Sequence, residues 1–381
     1  MNGIDFNHTI DRTQSSSMKW EKYRGKDVLP MWVADSDFRV ADEIIDALKA
    51  RADHGIFGYT LIPDQLIALI IERMSTMYNW QVKKEDIVFI PGLVCGLNLV
   101  ARAYAKDGKK VGIPKPIYPP FVSSVSNAGA EACFLPFTNQ DGRWMIDWSE
   151  LEANAAEIHL LMLCNPQNPG GTVFRREELN RIAELAEQHD WIVCSDEIHC
   201  DLLLDDLPHV PFASVSEAAA QRSCILMAPS KTWNIAGLGC SFAVIQNPAL
   251  RMQFRRQAQG IVPEVNLMAI EAAVAAYEHG EAWLAEQMKY LRDNRDYIEQ
   301  QVADIDGLSM LHTEATFLAW IDASALGLEN PAAYFEEFGV GMSPGRDFGW
   351  DQFIRLNFGC QRALLEEALE RIKRAIAHLP K

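Results

Sequence analysis

Residues 228–234 read APSKTWN, and two earlier motifs lead up to them: SDEIH at 195–199 and NPQNPGG at 165–171. Each motif follows a short apolar run that is typical of a buried β-strand. Together they supply a lysine, an aspartate and an asparagine. Because ligands of parallel sheets gather at the carboxyl ends of the strands, we expect these three side chains to share one site.

Strand and helix patterns alternate along most of the chain. Short apolar runs predict strands at 87–90, 110–113, 158–163, 191–195, 224–228, 240–245, 317–321 and 353–358, with an extended segment at 29–35. Helical spacing predicts helices at 40–53, 93–106, 118–128, 175–189, 212–220, 263–303 (broken near 279–280) and 361–378. Such alternation is typical of an α/β fold, here a three-layer α/β/α large domain with a mostly parallel sheet.

The end of the chain has a different pattern, which predicts a smaller α+β domain. We expect three parts: an N-terminal segment at 1–46 that packs with the small domain, a large domain at 47–280 and the small C-terminal domain at 281–381.

The composition excludes several classes of function. The chain has 381 residues, of which 49% are hydrophobic, and a net charge of −17. This charge disfavours nonspecific binding to nucleic acid or to an anionic membrane surface. No apolar run is long enough for a membrane span, and the first residues lack a signal-peptide pattern. We therefore expect neither a nucleic-acid partner nor membrane attachment.

The eight cysteines form no Cys-x-x-Cys pair and lie mostly in apolar stretches. They are typical of reduced core residues, so we expect a cytoplasmic protein. Cys194, His199 and Cys200 are close enough in sequence to suggest a metal site. Strand alternation places Cys194 and Cys200 on one face and His199 on the other, so we expect no metal.

Lys231, Asp196 and Asn168 point to a specific chemistry. A lysine among apolar residues has a lowered pKa and becomes nucleophilic near neutral pH. Asp196 ends an apolar strand, where a carboxylate needs a partner, and Asn168 lies on a turn that can fix its amide. These groups can hold and tune pyridoxal 5'-phosphate (PLP), the aldehyde cofactor of amino-acid chemistry. Lys231 would form a Schiff base and later take the substrate Cα proton, Asp196 would face the ring nitrogen, and Asn168 the phenolic oxygen.

Further residues suit the ring and the phosphate of this cofactor. Tyr118 is a candidate for stacking on the ring, although an ordinary half-buried tyrosine fits the same pattern. Gly92, Leu93 and Val94 mark a glycine turn and a helix start, whose free backbone N–H groups suit a phosphate. Ser230 can add a hydroxyl group to that phosphate site.

Arg355 lies within the apolar strand predicted at 353–358. A guanidinium group in such a place needs an anionic partner. Two partners remain open at this point: the α-carboxylate of a substrate, or a carboxylate of the protein in an internal salt bridge.

Six ordered motifs resemble those of the fold-type I PLP-dependent enzymes, the aspartate aminotransferase superfamily. They are LPMWVAD at 29–35, FGYT at 57–60, NPQNP at 165–169, SDEIH at 195–199, PSKTWNIAGL at 229–238 and RLNFGC at 355–360. Within the superfamily, the chain is most similar to the cystathionine β-lyase (C–S lyase) branch, which includes the maltose-regulon modulator. The resemblance covers nearly the whole chain, and it implies the type I fold of PLP-dependent transferases with PLP as cofactor.

The resemblance also implies roles on the cofactor side. Lys231 would carry PLP covalently and act in catalysis together with Asp196. Asn168 and His199 would lie near the phenolic oxygen, and Tyr118 would stack on the ring. Tyr118 and Asn168 would also contact the substrate.

On the substrate side, the resemblance implies that Arg355 binds the carboxylate, with Ala34 or Asp35 nearby. It further implies a homodimer in which Tyr59 reaches the cofactor phosphate of the other subunit. Tyr59 would thus be both a catalytic and a cofactor-binding residue. One position departs from the family pattern. Many relatives carry a cationic residue eight positions after the lysine, and this chain has Gly239 there.

The implied reaction is α,β-elimination from cystathionine or a related cysteine S-conjugate, which gives pyruvate, ammonia and a thiol. A class I/II aminotransferase that uses a 2-oxo acid acceptor remains an alternative, because both reactions begin with loss of the same Cα proton. A regulatory binding protein on the same scaffold is a further alternative. In the two enzymatic readings the partner is a small-molecule amino acid.

Overall fold

A computed structural model describes residues 4–379 of the chain. Residues 1–3 lie outside the described residues. They begin both the predicted N-terminal segment and the stretch without a signal-peptide pattern. Residues 380–381, which end the predicted C-terminal domain, also lie outside the described residues.

The strands are β1 Leu29–Met31, β2 Ile87–Ile90, β3 Lys110–Lys115, β4 Glu131–Gln140, β5 Arg143–Ile146, β6 Ile158–Cys164, β7 Ile192–Asp196, β8 Ser223–Met227, β9 Ser241–Val244, β10 Ser309–Met310, β11 Leu318–Asp322, β12 Val340–Pro344 and β13 Phe353–Asn357. The helices are α1 Met18–Glu21, α2 Asp42–His54, α3 Asp64–Tyr78, α4 Leu93–Tyr104, α5 Pro119–Asn127, α6 Trp148–Asn154, α7 Arg176–Gln188, α8 Glu217–Gln221, α9 Pro248–Ala258, α10 Leu267–His279, α11 Glu281–Ala303, α12 Pro331–Glu337 and α13 Arg362–Ala377.

Eight strands form the larger sheet, in the order β2-β9-β8-β7-β6-β3-β4-β5. The pairs from β8 through β4 are parallel, whereas β9 and β5 run antiparallel to their neighbours. The mostly parallel sheet predicted from the sequence is thus confirmed. Because β8, β7 and β6 are neighbours, their carboxyl ends lie side by side at one edge of the sheet.

Both faces of this sheet are buried. Along β6, Leu161 and Leu163 belong to one hydrophobic core, whereas Leu160 and Met162 belong to another. Helices α3 and α7 contribute to the first core, and α4 and α5 contribute to the second. Burial on both faces explains why the central strands are continuously apolar rather than alternating, and it gives the predicted three layers.

The smaller sheet has the order β1-β12-β13-β11-β10. Its first strand comes from the N-terminal segment and pairs in parallel with β12. A third hydrophobic core joins Phe6, Met31 and Phe38 of that segment to α11, α12 and α13. The smaller α+β domain is therefore present, while the boundaries 1–46, 47–280 and 281–381 remain a prediction.

Some elements differ from the predictions. The sequence pattern does not predict α3, α9 or the β4–β5 hairpin. The first strand of this hairpin alternates between exposed and buried residues, and its second strand is the edge of the sheet. The single helix predicted at 212–220 is wrong. Ser216 is extended and caps the short α8, its hydroxyl accepting from Ala219 N at 3.1 Å, so this residue separates α8 from a preceding 3₁₀ turn.

The break predicted near 279–280 is confirmed, because α10 ends at His279 and α11 begins at Glu281. The carbonyl oxygen of Gly280 accepts a hydrogen bond from the Trp233 indole at 3.1 Å, and a side chain at Gly280 would collide with that indole. Throughout residues 4–379, no helix is long and apolar enough to cross a membrane.

Candidate active site

The carboxyl ends of β6, β7 and β8 open into a cavity of about 470 Å³. Asp196 is the last residue of β7, Asn168 lies in the turn after β6, and Lys231 lies in the segment after β8. All three side chains line the cavity, which has a volume typical of small-molecule sites. The structure thus brings the three motifs together at one place.

Lys231 reaches across the cavity to the N-terminal segment. Its Nζ donates a hydrogen bond to the carbonyl oxygen of Ala34 at 2.5 Å. Burial lowers the pKa of Lys231 to about 8, with Arg355 acting in the same direction and with Asp35 and Asp196 opposing it. The lowered pKa raises the fraction of this amine that is neutral near neutral pH, which makes it a better nucleophile and proton acceptor than an ordinary lysine.

Asp196 is a buried carboxylate at the end of β7. Its Oδ1 accepts from the backbone N–H of Ile198 at 3.2 Å, and in the described part of the chain no Lys, Arg or His nitrogen lies within 4.0 Å. Burial raises the pKa of Asp196 to about 7. A cation placed in the cavity beside this side chain would favour the ionised carboxylate.

Arg355, on β13, approaches from the smaller sheet. Its Nη1 donates to Asn168 Oδ1 at 2.9 Å, and its Nη2 donates to the Trp32 carbonyl oxygen at 2.9 Å and to Ser343 Oγ at 3.3 Å. The guanidinium carbon lies 4.6 Å from the centre of the Phe348 ring.

Among the described residues, this arginine has no counter-ion. From residue 4 to residue 379, no carboxylate oxygen lies within 4.0 Å of the Arg355 guanidinium, so the salt-bridge alternative is wrong. Its buried Nε has no hydrogen-bond partner within the same range, and burial lowers the pKa of Arg355 to about 10. The cavity therefore contains a buried positive charge that an anionic ligand would stabilise.

His199 and Tyr118 also line the cavity. His199 is buried, its Nδ1 has no partner among the residues described, and burial lowers its pKa to about 3, so the ring is neutral. Tyr118 immediately precedes α5 and is half-buried, and burial raises its pKa. Both rings are thus uncharged groups that line the cavity.

The start of α4 forms another part of the cavity wall. Gly92 precedes this helix, no side chain caps it, and Gly92, Leu93 and Val94 all line the cavity together with Ser230. The first N–H groups of a helix without a cap are available to an anion.

Gly239 lines the cavity as well. It adopts a left-handed conformation with φ +78°, and a Cβ there would lie 2.9 Å from the Pro91 carbonyl oxygen. This explains the departure from the family pattern, because the backbone passes too close to Pro91 for a cationic side chain to fit without strain.

Two predicted residues lie outside the cavity. Tyr59 is fully exposed, and Asp35 pairs with Arg12 at 2.5 Å, whereas its neighbour Ala34 does line the cavity. Within residues 4–379, no group of three or more His, Cys, Asp or Glu side chains is arranged to hold a metal ion.

Four further residues line the cavity and are not among the residues predicted from the sequence: Met18, Trp32, Ser343 and Phe348. Trp32 lies inside the motif at 29–35, and this motif could have indicated from the sequence that Trp32 belongs to the site. Met18, Ser343 and Phe348 carry no local signal, because they reach the cavity only through the packing of the smaller sheet and the N-terminal segment.

The chain is similar to known proteins over nearly its whole length. The family model for aminotransferase class I and II matches residues 26–372. Cystathionine beta-lyase PatB of Bacillus subtilis (strain 168) is 37% identical over 98% of this chain and 100% of its own length. The crystal structure of OvoB is 49% identical with a TM-score of 0.96, covering 98% and 99% of the two chains. The PLP-bound C–S lyase from Staphylococcus hominis is 30% identical with a TM-score of 0.92 and covers 99% of both.

Proposed function

Because the chain belongs to the aminotransferase class I and II family, we propose that it is a PLP-dependent carbon–sulfur β-lyase. Its reaction is the α,β-elimination of cystathionine or a related cysteine S-conjugate, in which the substrate and one water molecule give a thiol, pyruvate and ammonia. The relatives support this activity, since PatB is named a cystathionine β-lyase and the S. hominis protein a PLP-bound C–S lyase. The observation that carries the proposal is the single cavity that joins Lys231, Asp196 and an arginine without a counter-ion.

The polar groups of the cavity fit PLP. Lys231 offers a partly neutral amine for the aldehyde, and Asp196, which has no cationic partner among residues 4–379, offers a carboxylate for the ring nitrogen. The hydrogen bond from Arg355 fixes Asn168 Oδ1 as an acceptor, so the amide N–H groups remain available to the phenolic oxygen. The open start of α4, with Ser230, suits the phosphate.

Each residue then has a defined task in the elimination. Bound PLP supplies an electron sink for the charge that develops at the substrate Cα. Lys231 removes the Cα proton with its Nζ, and Asp196 keeps a proton on the ring nitrogen of the cofactor. Arg355 binds the substrate carboxylate through its guanidinium group, and Ala34 holds the Lys231 amine through its carbonyl oxygen.

Lyase and aminotransferase activity are distinguished by their products. Purified protein supplied with PLP and cystathionine should release pyruvate, ammonia and thiol in equal amounts without any added 2-oxo acid. Pyruvate is measured with lactate dehydrogenase, and the thiol with a chromogenic disulfide. An enzyme that turns over only after addition of a 2-oxo acid would instead be an aminotransferase, and this result would contradict the proposal.

We also propose that the protein is a homodimer in which Tyr59 completes the site of the partner subunit. Residues 55–62 form neither helix nor strand. This segment carries four large apolar or aromatic side chains that are largely exposed: Ile56, Phe57, Tyr59 and Leu61. An exposed apolar segment of this kind is typical of a protein interface. The resemblance likewise implies that Tyr59 reaches the cofactor phosphate of the other subunit.

A mixing experiment tests the shared site. Lys231→Ala and Tyr59→Ala should each be inactive or nearly so alone. In a hybrid dimer, one of the two sites has both residues intact, so random mixing after dissociation should restore about a quarter of the wild-type activity. Mixtures that stay as inactive as the parents would show that Tyr59 acts within its own subunit or not at all.

A cytoplasmic location remains part of the proposal. All eight cysteines are free, and seven of them are buried. Free, buried thiols are typical of proteins that remain in a reducing compartment.

A further inference from the structure

A buried carboxylate outside the cavity connects the segments that carry Asp196 and Lys231. Asp201 lies five positions after Asp196 in the loop that follows β7, and its side chain is 6% exposed. Its Oδ2 accepts a hydrogen bond from Thr232 Oγ1 at 3.0 Å, and Thr232 directly follows Lys231. One carboxylate thus links the loop after β7 to the segment after β8.

The other oxygen of Asp201 is anchored to α3. Oδ1 accepts from Arg73 Nη2 at 2.6 Å and from the Tyr78 hydroxyl at 2.8 Å. Burial alone would raise the pKa of Asp201, but Arg73 and the hydrogen bonds hold it below its usual value, so the carboxylate is ionised. A buried charge with three donors has little freedom to move.

Thr232 is held on more than one side. Its side chain is fully buried, and its carbonyl oxygen accepts from Gln287 Nε2 at 3.0 Å. The next residue, Trp233, donates its indole N–H to Gly280 and lies under the Arg73 guanidinium, 5.3 Å from the ring centre. The backbone just after Lys231 is therefore fixed to α3 and to the start of α11.

From this geometry we infer that Asp201 is a positioning residue, which acts through Thr232 to fix Lys231 relative to Asp196. The inference rests on the function proposed above, in which Lys231 must hold its amine at a defined place. Displacement of a reacting group by about 1 Å can cost on the order of a hundredfold in rate, so rigid support behind such a lysine has a direct chemical consequence.

The decisive variant is Thr232→Val, which keeps the shape and removes the hydroxyl group. Among residues 4–379, Thr232 is the hydrogen-bond donor to Asp201 Oδ2, so that oxygen loses its partner. The Lys231 amine is then less firmly held in its buried position and becomes better hydrated. Because burial is what lowers the pKa of this lysine, that pKa should rise.

Two control variants isolate the effect. Thr232→Ser keeps the hydroxyl group and should behave as wild type. Tyr104→Phe removes a comparable buried hydroxyl bond, from Tyr104 to the Leu250 carbonyl oxygen at 2.9 Å, at the far end of α4. It should lower the melting temperature without changing Lys231. The charged or titratable groups that face Lys231 are Asp35, Asp196, His199 and Arg355, and all of these variants leave them unchanged.

The primary measurement uses cofactor-free protein. Trace acetylation at a series of pH values, followed by peptide mass spectrometry, gives the pKa of Lys231 itself. We expect a rise of about half a pH unit or more in Thr232→Val, and no change in Thr232→Ser or Tyr104→Phe. In PLP-loaded protein, the pH midpoint of the visible absorption should move in Thr232→Val only. Thr232→Ala serves as a second test if the valine variant does not fold.

The inference is overturned if Thr232→Val or Thr232→Ala leaves the pKa of Lys231 unchanged and loses only as much stability as Tyr104→Phe. Asp201 would then have a structural role alone. Failure of the proposed function would look different. In that case the wild-type protein would gain no visible absorption with PLP, and the acetylation result would still decide the role of Asp201.

Discussion

Replacing Asp196 by asparagine should stabilise the cofactor-free protein at neutral pH, even though it removes a residue that the proposed reaction needs. The carboxylate is 5% exposed, and burial raises its pKa from 3.8 to about 7. Between these two values the folded protein binds a proton that the unfolded chain has released. Stability therefore falls as the pH rises through this window and becomes constant above it.

The size of the effect follows from the pKa. From about pH 5 to the folded pKa of about 7 there are two pH units, each worth about 1.4 kcal/mol, so wild type loses roughly 3 kcal/mol through this residue. Asparagine does not titrate and does not incur this loss. For a chain of 381 residues, whose unfolding entropy is about 2 cal/mol/K per residue, roughly 3 kcal/mol corresponds to ~4 °C in melting temperature.

The assay is thermal unfolding of both cofactor-free proteins between about pH 5 and about pH 8, where the difference between the two melting temperatures removes all shared titrations. The variant should gain ~4 °C relative to wild type across this range, whereas added PLP should stabilise wild type more than the variant. A difference that stays constant with pH would refute the reasoning, because it would show that Asp196 is already ionised and stabilised without a cofactor.

Three further predictions concern the substrate, the phosphate and the lysine. Arg355→Gln should lower kcat/KM by roughly a hundredfold, mainly through KM, because the charged hydrogen bonds to the substrate carboxylate are lost. Steady-state kinetics with cystathionine measures this effect, and an unchanged KM would contradict it. Gly239→Arg should weaken PLP binding even though it adds a cation, because its Cβ would meet the Pro91 carbonyl oxygen; tighter binding in a PLP titration would show that the backbone adapts. Covalent capture of PLP by wild type should speed up as the pH rises through about 8, and Asp35→Asn should move that midpoint to lower pH because Asp35 favours the charged form of Lys231. Stopped-flow absorbance measures the midpoint, and a shift to higher pH would be inconsistent with this role of Asp35.

The sequence predicted those parts of the site that depend on local pattern. Lys231, Asp196 and Asn168 each follow an apolar run, and neighbouring parallel strands necessarily end at the same edge of a sheet. For Arg355, the sequence indicated the need for an anionic partner. It did not show whether that partner is a substrate carboxylate or a carboxylate of the protein. That question depends on how β13 packs against the turn after β6, which is a tertiary contact without any local signal.

Other features could not be predicted for the same reason. Met18 and Phe348 meet in the cavity wall although they are distant in sequence. The hydrogen bond from Thr232 to Asp201 likewise connects two distant segments. The helix predicted at 212–220 was wrong because an apolar pattern does not reveal that Ser216 is extended and begins a new helix there.

Covalent attachment of PLP to Lys231 can be tested by borohydride reduction. Purified protein incubated with PLP, reduced and digested should contain one reduced cofactor group per chain, on the peptide that includes Lys231. Lys231→Arg should contain none, although it folds and keeps the charge. A reduced cofactor on another lysine, or none on wild type, would contradict the account.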